Sequence, residues 1–446
     1  MLLYKLITPF IPFSSYEFEI VANFLYSIFV LIIIWLSLRL YFGKIDLKNM
    51  VLRTALVAIC FFTTSAWCHM QTEMSCTLLI MLAYSLWVNV IKNEEAGKWK
   101  LFVAGVLIGS TFFFKSILIL LSVSVVAAIG IYNIYNNYKF SAKRFWIVVL
   151  GSISILVVNM GLILLINPLE IQSMVDASAF QSTLFSTRVS LKTIVRTFCC
   201  NILRYSFYIP VMAVGILAFV CNFIRSVKRK EWKLTLFHSV MWLMPFFIVI
   251  LSDKYYGYHF ITFVFPSIIE IVKVFHRKSQ VESCVMYIST LGVGVIYIFL
   301  MSIFSNNFRE YIDITQEVLE NNEETFNLLN IDKSAMFLYL DDGKGSYFVG
   351  NESYLSYYYP LPLRRLDEES TLECYTSSME KVLNYDGKYI SVYENWFFKD
   401  GSNTKIRTWL ENEYEYIGSY KVFAPWNRYP SPGKMQAISY DIYVRK

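Results

Sequence analysis

Ionisable residues at the ends of long apolar segments are the groups in this chain best placed for chemistry. Glu73 opens one such segment, and His69 and Gln71 lie just before it. A carboxylate and an imidazole four positions apart at the mouth of a membrane span predict a site for a divalent cation or a substrate hydroxyl, because charged groups are costly at that depth. The alternative interpretation is that both side chains simply lie in the water of the headgroup layer.

Lys115 is the second such group. It follows Phe112, Phe113 and Phe114, and only Ser116 separates it from the next apolar segment. An ammonium group at the tip of so tight a hairpin lies at the depth of a lipid phosphate, which a compact positive charge suits. We therefore predict that Lys115 binds a lipid phosphate, although a lysine that only extends to the membrane surface would give the same pattern.

A basic stripe is predicted in the long segment 167–205. Arg188, Lys192 and Arg196 recur at every fourth position, so a helix would align them on one face. Such a stripe predicts contact with an anionic lipid, a pyrophosphate or a phosphorylated acceptor. Nonspecific attraction to anionic headgroups is the alternative.

A turn of charged and aromatic residues precedes Pro266. Tyr255, Tyr256 and His259 lie in it, at the end of an apolar segment. Aromatic rings there predict stacking on a sugar or contact with lipid, so these three residues are candidates for substrate binding. An ordinary aromatic belt at the membrane interface is the alternative.

The connections between the apolar segments alternate in charge. Every second connection is rich in Lys and Arg, and positive charge stays on the cytoplasmic side during insertion. The apolar content of 56% also exceeds the roughly 45–50% of soluble chains. We predict ten spans with both chain ends outside the cytoplasm, near residues 20–41, 51–68, 73–91, 101–115, 117–136, 145–166, 206–226, 234–252, 258–275 and 283–304.

The predicted fold is a polytopic α-helical membrane protein of about ten transmembrane helices with a C-terminal extracytoplasmic α/β domain. Residues 1–304 form the membrane domain, with 167–205 as its outer loop, and 305–446 form the outer domain. The net charge of +6 lies mostly in the cytoplasmic connections, so it gives no support for a nucleic-acid partner. In the outer domain we predict strands at 335–340, 389–393 and 437–444 and helices near 308–329 and 402–413.

The stretch 71–131 carries an ordered set of motifs. Glu73 opens a span that is rich in Leu and Ala, a basic turn follows at 92–100, and a small-residue helix with Gly105 and Gly109 ends in Lys115. In these motifs the chain resembles polyprenyl-phosphate-dependent glycosyltransferases of the GT-C class. That class includes the protein O-mannosyltransferases of glycosyltransferase family 39 and the lipid A aminoarabinose transferase. The aromatic turn before the ninth predicted span and the C-terminal α/β domain are also similar to this family.

The resemblance implies a multi-pass enzyme of the bacterial inner (plasma) membrane. It would move a sugar from a polyprenyl-phosphate carrier to an extracytoplasmic glycolipid, polysaccharide or protein by inverting displacement. A carboxylate would deprotonate the acceptor hydroxyl, and the lipid phosphate would leave. Lys115 and the basic stripe would stabilise that phosphate, while Glu73 with His69 would orient a sugar or a divalent metal ion.

The chain departs from the family at its N-terminus. Family members begin with a helix whose outer end leads into a loop with a catalytic Asp or Glu, and residues 1–18 here resemble only the tail of that loop. The expectation is that the first transmembrane helix is absent and that the chain is inactive as it stands. Otherwise Glu17 or Glu19 would have taken the role of the base.

Two alternative functions stay open from the sequence. An O-antigen polymerase or ligase also has about ten spans and basic outer loops, but its large outer loop usually lies between spans. A lipid-linked sugar transporter or flippase would require charged residues and broken helices near the middle of the membrane. The predicted spans are nearly free of both features, and Glu270, near the cytoplasmic end of the ninth span, is the main exception.

Overall fold

The computed structural model describes most of the apolar segments and most of the C-terminal region. The described residues are 16–43, 72–93, 97–166, 210–251, 257–275, 317–332, 334–341, 360–365, 373–423 and 437–446, with scattered positions between these ranges.

The described apolar region is built from helices, as a backbone in lipid requires because it must satisfy its own hydrogen bonds. Two short 3-10 helices, Ser116–Leu120 and Gly257–Phe263, lead directly into α-helices. The α-helices are α1 (Tyr16–Phe42), α2 (Thr72–Lys92), α3 (Trp99–Phe114), α4 (Leu121–Tyr135), α5 (Ala142–Ile166), α6 (Pro210–Lys228), α7 (Trp232–Leu251) and α8 (Val264–Phe275).

Six helical segments among the described residues are long and apolar enough to cross a membrane. They coincide with the first, third, fifth, sixth, seventh and eighth predicted spans. The fourth and ninth predicted spans correspond to shorter apolar helices, Trp99–Phe114 and His259–Val272. The tenth span and most of the second lie outside the described residues. A membrane-embedded helical protein is therefore supported, while the total of ten spans and the side of each chain end remain predictions.

Close packing holds the middle of α3, the helix that precedes Lys115, against α5. Gly105 and Gly109 approach α5 so closely that a Cβ atom at either would collide with backbone atoms of Val148 or Ser152. The Ser152 hydroxyl also donates to the Gly105 carbonyl at 2.9 Å. Small residues four positions apart permit such an approach between helices in lipid. The glycines that contribute to the family resemblance thus have a packing role in this structure.

A four-stranded mixed sheet forms the centre of a second compact unit, which includes residues 302–446. Its strands are β1 (Phe337–Leu340), β2 (Tyr389–Val392), β3 (Tyr414–Phe423) and β4 (Ala437–Arg445), in the order β1-β2-β4-β3. Strands β1 and β2 are parallel, and the other neighbours are antiparallel. The helices of this unit are α9 (317–328), α10 (Pro360–Arg365), α11 (Glu373–Leu383), α12 (Glu394–Phe397) and α13 (Thr404–Glu413).

Both faces of this sheet are covered by helices. Helix α9 packs Val318 and Phe326 on one face, and α13 packs Ile406 and Leu410 on the other. The three predicted strands are present within a residue or two of their predicted bounds, and the helix predicted at 402–413 is α13. The prediction missed β3, because the two-residue alternation of side chains in that strand is interrupted by a register shift between Tyr416 and Gly418.

Candidate functional site

Glu73 lies in the first turn of α2, where the positive end of the helix dipole favours a carboxylate. Its side chain is only 1% exposed. The Thr72 hydroxyl donates to Glu73 Oε2 at 2.8 Å. A carboxylate buried to this degree needs partners for both oxygens, so its environment must supply a further donor.

Lys115 supplies that donor from the break between α3 and the next 3-10 helix. Its backbone is extended, with φ of −163° and ψ of 117°, so the helix is interrupted at this residue. The reversal still satisfies the backbone, because Lys115 donates to the Thr111 carbonyl at 3.3 Å and accepts from the Leu118 N–H at 2.8 Å. The side chain is 30% exposed, and its Nζ lies 3.0 Å from Glu73 Oε1.

His259 reaches the same point from the 3-10 helix that precedes α8. Its Nε2 lies 3.5 Å from Lys115 Nζ and 3.7 Å from Glu73 Oε1. The imidazole is 3% exposed, and the His259 carbonyl accepts a hydrogen bond from the Thr262 hydroxyl at 2.8 Å. Three residues that are far apart in sequence therefore meet within one small volume, which we call the Glu73 cluster: Glu73, Lys115 and His259.

The Glu73 cluster can present one oriented cation to an anionic ligand. An ammonium group has three N–H donors. The acceptors within reach among the described residues are Glu73 Oε1 and, in the tautomer that leaves it unprotonated, His259 Nε2. One donor direction is left for a ligand oxygen. Because Lys115 is the partly exposed member and the other two are buried, the ligand must approach from the side of Lys115.

The donor set of this cluster does not fit a divalent metal ion. Lys115 already supplies the positive charge next to Glu73 Oε1, and it would repel a second cation there. Within the described residues no three His, Cys, Asp or Glu side chains are grouped as ligands. The pairing of Glu73 with His69 on a metal remains a prediction, because His69 lies outside those residues.

The other predicted site residues are not brought into the Glu73 cluster by any described contact. Glu17 and Glu19 lie in the first turn of α1, where the described part of the structure gives the backbone alone. The predicted residues outside the described ranges are His69, Gln71, Arg188, Lys192, Arg196, Tyr255 and Tyr256.

A second buried carboxylate lies in α8. Glu270 Oε1 is 2.5 Å from His238 Nδ1, and Asn222 Nδ2 donates to Glu270 Oε2 at 2.7 Å. All three residues have no exposed surface. We call this set the Glu270 cluster. The sequence drew attention to Glu270 alone. Single polar residues that interrupt the apolar spans of α6 and α7 were the signal that would have identified Asn222 and His238.

Comparison of the chain with protein-family models, curated proteins and solved structures finds no significant match. The resemblance to GT-C glycosyltransferases therefore rests on the sequence motifs alone.

Proposed function

We propose that this protein is a membrane glycosyltransferase that uses a sugar donor linked to a polyprenyl phosphate. One observation carries the proposal: a partly exposed lysine is fixed by a buried carboxylate and a buried imidazole at the ends of apolar helices. A site of this kind suits a ligand that combines one phosphate with a long apolar chain. The six helices that are long enough to cross a membrane would place this site in a bilayer, where the apolar chain of the donor also lies.

Lys115 binds the phosphate of the donor in this proposal. Its Nζ carries the charge, and the ion pair to Glu73 restricts the rotamers of a long side chain that would otherwise be mobile. Glu73 and His259 are therefore positioning residues, since they act on the ligand through Lys115. A preorganised cation stabilises charge better than a mobile one, because no reorganisation is needed as the reaction proceeds.

The proposed reaction is a single displacement at the anomeric carbon of the sugar. The acceptor hydroxyl loses its proton to a carboxylate base, and its oxygen forms the new bond to that carbon. The bond from the anomeric carbon to the phosphate oxygen breaks, and the phosphate leaves with the electron pair. Lys115 neutralises the charge that develops on the phosphate. Glu17 and Glu19 are the candidates for the base that the chain offers.

A transfer assay with matched lysine variants tests this function. Membranes that contain the protein receive a panel of radiolabelled sugars on polyprenyl phosphate, and label in extracytoplasmic glycan or protein is counted. We expect Lys115→Gln to reduce transfer about 10²–10³-fold, as the loss of one charge-stabilising donor does in other enzymes. Lys100→Gln is the control, because it removes an equal charge at the other end of the same helix, where Lys100 bonds Asn89 at 2.9 Å.

The control decides between a site effect and a general effect of charge. Equal losses in the two variants would contradict a specific role for Lys115. Absence of transfer from every donor in the panel, with wild-type protein present in the membrane, would contradict Glu17 and Glu19 as bases. Absence of polyprenyl-phosphate binding in addition would contradict the glycosyltransferase proposal.

A lipid-linked sugar transporter is the second candidate, and the Glu270 cluster is the observation that favours it. Ionisable residues buried inside a membrane domain often mark ion or substrate pathways. Translocation of a fluorescent polyprenyl-phosphate sugar across proteoliposomes, abolished by Glu270→Gln and without any transfer of the sugar, would favour this candidate over the enzyme.

A further inference from the structure

The Glu270 cluster joins three helices at one buried point. Asn222 belongs to α6, His238 to α7 and Glu270 to α8. Each oxygen of the Glu270 carboxylate has one partner from a different helix, at 2.7 Å from Asn222 and 2.5 Å from His238. Because a carboxylate without partners is strongly disfavoured in such a place, the two contacts favour one rotation and one axial position of α8.

Helix α8 continues directly from the 3-10 helix that carries His259. Gly257–Phe263 ends where Val264–Phe275 begins, so no loop separates His259 from Glu270. A displacement of α8 along its axis would therefore displace His259 as well.

Side-chain contacts hold the same segment along its length. Phe263 lies 5.7 Å from the Trp242 ring on α7, and Phe265 contacts Tyr84 of α2 edge-on at 5.7 Å. Ser267 packs against Gly215 of α6 so closely that a Cβ atom at Gly215 would collide with it. The segment between the two clusters is consequently confined on several sides.

We propose that Asn222, His238 and Glu270 form a positioning anchor that determines where His259 lies relative to Lys115 and Glu73. The effect of this anchor on ligand binding rests on the function proposed above. The effect on His259 itself does not, because it depends only on the continuity of the segment and on the contacts of Glu270.

The four histidines of the chain make this inference directly measurable. Protein labelled with ¹⁵N-histidine in proteoliposomes is studied by solid-state NMR, and His259→Gln identifies the His259 signals by difference. We expect Glu270→Leu and the milder Asn222→Ala to shift those signals. Both variants should also weaken binding of polyprenyl phosphate about 2- to 30-fold, the range of couplings between separate sites.

Two further variants separate positioning from simple packing. Glu270→Gln keeps one acceptor for Asn222 and one polar atom for His238, so it should preserve the His259 signals. Ser226→Ala removes a 2.8 Å hydrogen bond to Thr235 between α6 and α7 without touching α8, and it should leave those signals unchanged as well.

The outcomes are distinct. If Glu270→Leu and Asn222→Ala lower thermal stability but leave the His259 signals unmoved, the anchor does not position His259 and the proposal is wrong. The proposal is also wrong if Glu270→Gln shifts the signals as far as Glu270→Leu. If wild-type protein fails to bind polyprenyl phosphate, the proposed function fails, and the NMR signals still test the anchor on their own.

Discussion

Two buried carboxylates with histidine neighbours, Glu270 and Glu73, lie in the same helical unit. They differ in whether a partner of the carboxylate is accessible to a ligand. Glu270 is enclosed by Asn222 and His238, neither of which has exposed surface. Glu73 has the buried His259 on one side, and the described cation that pairs with it is Lys115, whose side chain is 30% exposed. All members of the Glu270 cluster are therefore inaccessible to a ligand, whereas the Glu73 cluster has a charged group that a ligand can contact.

The difference shows why burial of a carboxylate is a poor guide to function by itself. Glu270 satisfies both oxygens with groups that are equally buried, which stabilises one arrangement of three helices. Glu73 uses its burial to restrict a lysine that remains accessible. A ligand site requires this second condition, so the accessible partner is the more informative member of a buried ion pair.

Removal of the histidine from each cluster should give the largest difference between the two clusters in the free energy of unfolding. His238→Leu leaves the buried Glu270 without its imidazole partner, and we expect a loss of about 3–5 kcal/mol in the free energy of unfolding. His259→Leu leaves Glu73 with Lys115 and Thr72, so the loss should be nearer to about 1–3 kcal/mol.

Denaturant unfolding in detergent micelles, followed by tryptophan fluorescence, measures both losses. A larger loss in His259→Leu than in His238→Leu would contradict the description of the Glu270 cluster as the structural one of the two.

A smaller effect is expected from the second oxygen of Glu73. Thr72→Val removes the hydroxyl that donates to Glu73 Oε2 and should destabilise the protein by about 0.5–1.5 kcal/mol. It should also weaken binding of polyprenyl phosphate, because the Glu73 carboxylate can then rotate and orients Lys115 less well. The matched control is Thr77→Val, whose hydroxyl donates at 2.7 Å to the backbone carbonyl of Glu73 and not to its carboxylate. Equal dissociation constants for the two variants would show that Oε2 has no influence on Lys115.

An exposed carboxylate extends the comparison and should have the smallest effect. The hydroxyl and the N–H of Ser334 donate to Asp332 at 2.6 and 2.7 Å, which lowers the pKa of that carboxyl. Since the folded pKa is below the unfolded value, the contribution to stability is present above an ordinary aspartate pKa of about 3.9 and is lost as the pH falls through the folded pKa.

Thermal unfolding of Ser334→Ala and wild-type protein between neutral and acidic pH measures that contribution. The two melting temperatures should differ slightly near neutral pH and converge at the acidic end. A difference that grows on acidification would have the wrong sign for a lowered pKa at Asp332.

The sequence predicted Glu73, Lys115 and His259 as site residues, but it did not predict that the three side chains lie next to one another. Glu73, Lys115 and His259 were each recognised as polar residues at the ends of apolar segments. Hydropathy gives the depth of a residue in a membrane and says nothing of its direction around the helix axis. For that reason the sequence pattern pairs Glu73 with His69 and places His259 in a separate aromatic turn.

The Glu270 cluster and β3 were missed for related physical reasons. Asn222 and His238 are single polar residues within apolar helices, and only the packing of α6, α7 and α8 shows that both point toward Glu270. In β3 the register shift after Tyr416 disrupts the alternation on which strand prediction depends. The bounds of the described apolar helices were predicted within a few residues, because they follow from the lengths of apolar runs, whereas α10, α11 and α12 lie in a polar region and were missed.

The role of Lys115 in binding phosphate is best tested by the dissociation constant for polyprenyl phosphate in nanodiscs, measured for wild-type protein, Lys115→Gln and Lys100→Gln. Polyprenol, which lacks the phosphate, is the control ligand. We predict that Lys115→Gln weakens binding by about 1.5–3 kcal/mol, or roughly 10- to 150-fold, the value of a hydrogen bond to a charged group. Lys100→Gln should bind like wild type, and polyprenol should bind all three proteins equally weakly. Equal affinity of wild type and Lys115→Gln for the phosphate would contradict this role of Lys115.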